Sequence, residues 1–127
     1  MVDTSQDFTI YAGNVKTLEF TVTDEEALAP LDLTSSIVKF AATILDENSN
    51  PVVDSPNIDL NSSGAQVTIV DAVNGRVDVD LIEAHTTALA AAGETEYYIE
   101  LEVFDVGGDS VVVATGTMTV KPNVVNV

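Results

Sequence analysis

Carboxylates dominate the chemistry open to this chain. Its 127 residues hold 21 Asp and Glu against 4 Lys and Arg, a formal charge of −17. Asp46, Asn48 and Asn50 match the opening of a calcium-loop pattern, D-x-N-x-N. The pattern then fails, because Pro51 stands where the sharp turn needs Gly and Asn57 where a bidentate Glu should close the site. A turn rich in Asx residues accounts for the same letters. Asp105 and Asp109 flank Gly107-Gly108, and Asp24-Glu25-Glu26 form a cluster. Either could gather a cation at a sheet end, but exposed acidic loops are expected in so acidic a chain.

Paired carboxylates are the next arrangement with chemical meaning. Asp78 and Asp80 alternate along one segment, as do Glu100 and Glu102. Two carboxyls about 5 to 9 Å apart are what glycoside hydrolysis needs. Such an enzyme also needs an aromatic groove, and here the intervening residues are apolar. The acids therefore read as the wet face of strands. His85 is the single histidine and lies in Glu83-Ala84-His85-Thr86-Thr87, a helical turn expected at the surface. It has no nucleophile motif beside it, and one His makes a poor zinc site without Cys. The chain has no Cys, which removes disulfides, thiolate metal sites and cysteine nucleophiles. Gly107-Gly108 joins two strands and does not open a helix, so it reads as a turn and not a phosphate loop. Asn61-Ser62-Ser63 matches a glycosylation sequon, read as accidental. No catalytic, cofactor-binding or metal-binding residue is assigned, and no cofactor is expected.

The elements that carry these residues follow from the apolar pattern. Hydrophobic residues make up 46% of the chain, enough for a core, and they lean on Val, Ile and Leu, which suit a pleated surface. Lys16 to Thr23 alternates, with Leu18, Phe20 and Val22 on one face and Thr17, Glu19, Thr21 and Thr23 on the other. Other strands are expected at Phe8-Tyr11, Ile37-Leu45, Gln66-Val70, Arg76-Ile82, Tyr97-Phe104 and Ser110-Val120. A short edge strand is expected within Val52-Leu60. On Ile37-Leu45 the inward set is Val38, Phe40, Ala42 and Ile44. Asn74-Gly75 is a hairpin signal, and Gly116 marks a bulge or a close approach. Pro30 to Thr34 reads as a connection between sheets. An Ala-rich stretch over residues 83–92 suits one or two helical turns, stopped at Gly93.

Seven to eight short strands with regular turns are the pattern of an all-β, immunoglobulin-like β-sandwich. The whole chain, 1–127, reads as one such domain with its core at about residues 8–120, between a short N-terminal arm of six residues and a C-terminal tail. Tyr97 or Tyr98, just after the helical crossing, could bond back to that corner through its hydroxyl; ordinary packing is the alternative. The tail Lys121-Pro122-Asn123-Val124-Val125-Asn126-Val127 is apolar for a free end. Val124, Val125 and Val127 are candidate partner contacts, with a frayed terminus as the alternative.

The charge bears on partners. With few cations there is no basic patch to release phosphate counterions, so nucleic acid is not expected, nor is an anionic membrane surface. The acidity fits solubility or a saline environment. The start, Met1-Val2-Asp3-Thr4-Ser5-Gln6, has no basic segment followed by an apolar run. Nor does any stretch approach the roughly 20 apolar residues of a membrane helix. The expectation is a chain made in the cytoplasm without a signal peptide.

The order of segments resembles a family of small phage structural proteins. The likeness begins at Phe8-Thr9-Ile10-Tyr11-Ala12-Gly13 and continues at Leu18-Glu19-Phe20-Thr21-Val22-Thr23-Asp24. It is clearest at Pro30-Leu31-Asp32-Leu33-Thr34, similar to the P-x-D-L-T step before the third strand. It closes with Tyr97 to Asp105, a Gly turn, and Gly116-Thr117-Met118-Thr119-Val120. This pattern is similar to the immunoglobulin-like N-terminal domain of phage baseplate upper proteins and related virion proteins. Glu25-Glu26-Ala27 replaces the usual Gly turn, and the long C-terminal extension of baseplate proteins does not follow.

The resemblance implies a non-enzymatic part of a tailed virus particle, most of all a capsid decoration (cement) protein on the major capsid protein. A tail, adaptor or baseplate component is the alternative within that class. A carbohydrate- or ligand-binding immunoglobulin-like module of a surface protein is the alternative outside it. The partners implied are other virion proteins, capsid or tail, with a homo-oligomer also open.

Overall fold

The computed structural model describes residues 5–24, 29–48, 50–52, 57–90 and 93–122. Among these residues ten strands and one helix run in the order β1 Ser5–Tyr11, β2 Lys16–Thr21, β3 Thr23–Asp24, β4 Ala29–Pro30, β5 Ile37–Ile44, β6 Ile58–Asn61, β7 Val67–Asp71, β8 Arg76–Leu81, α1 Glu83–Leu89, β9 Thr95–Phe104 and β10 Ser110–Lys121. They form a five-stranded sheet, β1-β10-β9-β5-β6, and a three-stranded sheet, β2-β8-β7, with β3-β4 as a small ribbon. All pairings are antiparallel except β1 with β10, which is parallel. The chain is an all-β sandwich, and this strand order is that of an immunoglobulin fold.

Alternation makes the core. From the smaller sheet, Leu18, Phe20, Val67, Val77, Val79 and Leu81 point inward. They meet Val38, Phe40, Tyr97, Ile99, Leu101 and Met118 of the larger one. Phe20 and Phe40 touch across the layers with centroids 6.5 Å apart at a tilted angle, a favoured aromatic geometry. With neither Trp nor Cys in the chain, these aliphatic, Phe, Tyr and Met side chains carry the burial that an intersheet disulfide and Trp share in antibody domains.

One end of the sandwich is knitted by main-chain bonds. The Val22 amide donates to the Gly75 carbonyl, Leu31 to Val22, and Leu33 to Ala72. Leu33 is fully buried there. Gly75 has φ +69°, and a Cβ on it would stand 2.4 Å from the Val22 oxygen and 2.9 Å from that of Leu31. Only Gly fits this position.

At the other end α1 crosses between the sheets. Thr86 is completely buried. Its Oγ1 accepts from the Gly13 amide at 3.0 Å and reaches the carbonyls of Asn14 at 2.9 Å and Glu83 at 3.2 Å. Tyr97, the first inward residue of β9, donates its hydroxyl to the Leu89 carbonyl at 2.6 Å. This is a tyrosine corner, and it resolves the choice in favour of Tyr97. The Tyr98 hydroxyl instead donates to Glu100.

Four expectations change. Ser5 and Gln6 belong to β1, in register with Thr115 and Gly116, so the arm is shorter than six residues. The irregularity in β10 falls between Val112 and Ala114, not at Gly116, which pairs regularly with Ile99. The extra residue there lets Val113 and Ala114 both turn inward, moving the buried set from odd to even positions. Ile44, at the last position of β5, is exposed, while Thr43 is buried beneath the following loop and donates to the Val52 carbonyl at 2.6 Å. The helix ends at Leu89, short of residue 92.

Candidate interaction surface

The calcium-like residues form a turn. The Asp46 carboxylate accepts from the amides of Asn48 and Asn50, both at 2.9 Å, and the Asp46 amide donates to the Asn50 carbonyl. The loop at Asp105 repeats this wiring. There one carboxylate oxygen accepts from the amides of Gly107 and Asp109, at 2.9 and 3.0 Å, and the Asp105 amide donates to the Asp109 carbonyl. In each loop the leading Asp replaces the main-chain acceptors that the turn lacks. Asp24 closes β3, while Glu25 and Glu26 lie outside the described residues. Among the described residues no group of three or more His, Asp or Glu side chains could hold a metal ion.

The carboxylate pairs do not converge. Asp78 and Asp80 stand between the buried Val77, Val79 and Leu81, on the outer face of the smaller sheet. There Asp80 accepts from Thr17 Oγ1 at 2.7 Å. Glu100 and Glu102 occupy the outer face of the other sheet, with Ile99, Leu101 and Val103 inward. Lys39 lies opposite Glu102 in register, and its Nζ sits 4.7 Å from the centre of the Phe104 ring, a cation–π contact.

His85 is half-buried, not fully solvated as expected. Its Nδ1 accepts from the Ile82 amide at 3.3 Å and so helps to cap α1. The sequon Asn61-Ser62-Ser63 is a turn in which Asn61 accepts from the Ser63 amide, and Ser62 Oγ accepts from the Val38 amide. Beside it is an open depression of about 510 Å³ bordered by Ser36, Ile37, Ser63, Val67 and Ile69. Among the described residues no ionisable side chain borders it.

What remains is surface and edge. Val124, Val125 and Val127 lie outside the described residues. Among the described residues the outermost strands are β1 and β6 in one sheet and β2 and β7 in the other. Edge strands resist unwanted pairing by being short, bulged or charged. β6 has four residues, β7 is interrupted between Ile69 and Asp71, and β2 carries Lys16 and Glu19. β1 has seven residues in unbroken register and a single charge, Asp7. The Asp7 carboxylate accepts from the amide and hydroxyl of Thr117.

The geometry is that of a sandwich whose outer features are strand edges and loops. Among protein-family models and curated proteins, none matches this chain.

Proposed function

We propose that this chain is a non-enzymatic structural protein of a tailed virus particle, bound to other virion proteins. The favoured role is capsid decoration on the major capsid protein, with a tail, adaptor or baseplate position as the alternative. The observation that carries the reading is the Pro30-to-Thr34 step, where the family likeness is clearest. In the fold it is an end-piece of the sandwich, with Leu33 fully buried and Asp32 accepting from the amide and hydroxyl of Thr34. A likeness centred on such a residue set supports a shared domain architecture. The strong negative charge fits a position facing outward, away from packaged DNA.

Mass spectrometry with cryo-electron microscopy of virus particles from the source is the test. A chain present in hundreds of copies on the shell is a decoration protein. A few copies, or density only in the tail, marks an adaptor or baseplate part. Absence from purified particles overturns the proposal and leaves the ligand-binding module as the reading to examine by glycan array.

A further inference from the structure

We infer that the free edge of β1 pairs with the same edge of a second copy of this chain, joining two five-stranded sheets across a two-fold axis. This is independent of the virion reading. Main-chain groups of successive strand residues alternate between the two edges of a strand. The Ala12 amide donates to the Lys121 carbonyl of β10. By that alternation Phe8 and Ile10 address β10, while Asp7 and Thr9 present amide and carbonyl to the open side. No described strand pairs there.

Three features of β1 select a second copy as the occupant. The first is self-complementarity. Antiparallel pairing centred on Phe8 sets Asp7 opposite Thr9 twice over, each pair exchanging two main-chain bonds, with no like charges opposed. The second is Phe8 itself, which packs on the core from the outermost strand but stays only half-buried. In that register the two Phe8 rings become cross-strand neighbours at a non-hydrogen-bonded position, about 4.5 Å apart at Cα. The third is charge. Residues 5–11 carry one acid, in a chain whose net charge is −17, so β1 is a strip where two such molecules can approach. Their remaining charges repel over a Debye length, which salt shortens from about 30 Å at 0.01 M to about 3 Å at 1 M. The dimer therefore tightens with salt.

Sedimentation velocity tests this on the intact chain from about 10 to about 500 µM, in about 0.05 M and about 1 M NaCl. The expected result is a species of twice 13.4 kDa whose dissociation constant falls about tenfold or more on going to high salt. Amide exchange at Asp7 and Thr9 slows as the dimer fills. Thr9→Pro removes an outward amide while leaving the β10 ladder intact. Thr9→Glu sets a second acid against Asp7 of the other copy. Each should weaken the dimer about tenfold or more with the melting temperature kept. A monomer under every condition overturns the inference. So does a dimer indifferent to both variants, or protection at Asp7 and Thr9 that arises only when another protein is added.

Discussion

The Tyr97 hydroxyl donates to the Leu89 carbonyl at 2.6 Å inside the core, tying the start of β9 to the last turn of α1. With Thr86 bonded to the β1–β2 turn, it fixes the crossing from the three-stranded sheet to the five-stranded one. Tyr97→Phe keeps the ring and deprives the carbonyl of its donor. A loss of about 1–3 kcal/mol is expected, read from urea unfolding with an unchanged slope.

The same phenol gives an alkaline signature. Burial pushes the Tyr97 hydroxyl above its ordinary 10.0, against a weaker opposing bond with Thr95. A folded-state value above the unfolded one means that the native state holds the proton longer. The associated stability is complete below pH 10 and is lost as pH rises through the folded-state value. Ultraviolet titration of the wild type should show a phenol ionising above 10.0 together with unfolding. Tyr97→Phe should remove that step.

Thr86→Val is nearly isosteric and strips a buried hydroxyl from the Gly13 amide and the Asn14 carbonyl. The expected cost is about 1–3 kcal/mol. Amide exchange should speed at Gly13 while the central β5 and β9 amides keep their protection relative to global stability.

Gly75→Ala combines a left-handed backbone with a Cβ overlapping two carbonyl oxygens. Strain and overpacking together should cost about 2–5 kcal/mol. A thermal melt unchanged from wild type would refute the close approach of residues 22, 31 and 75.

At acid pH, Asp32 should be the informative group. The hydroxyl and then the amide of Thr34 hold its carboxyl below the usual 3.8, against a smaller opposing effect of desolvation. The depressed value means that its contribution is present above pH 3.8 and fades as pH falls through the lower, folded-state value. A carbon-detected titration should place the Asp32 midpoint below 3.8, and Thr34→Ala should move it back up.

Period-two stretches were legible in the sequence because burial on one face dictates them. Leu18-Phe20 and Val77-Val79-Leu81 point inward as their spacing requires. Asn74-Gly75 and the Asp-led turns were legible because their chemistry is local. Long-range effects were not. Ser5 and Gln6 are polar, and only the presence of β10 makes them strand. Thr86 looks like any helical Thr until the Gly13 turn closes on it. The bulge in β10 lies in Val111-Val112-Val113-Ala114, a uniformly apolar run whose composition cannot mark where the phase slips. The edge strand β1 follows from topology alone, which no local pattern encodes.

The parallel union of β1 with β10 bears on how the molecule comes together. Asp7 meets Thr117 across 110 positions of sequence, so β1 lacks its neighbour until β10 has been synthesised. Contacts so distant along the chain slow folding, because loop closure precedes any gain from them. A nascent β1 is exposed along both of its edges throughout the interval before β10 emerges, which makes it a segment where a chaperone, or a neighbouring nascent chain, has time to act.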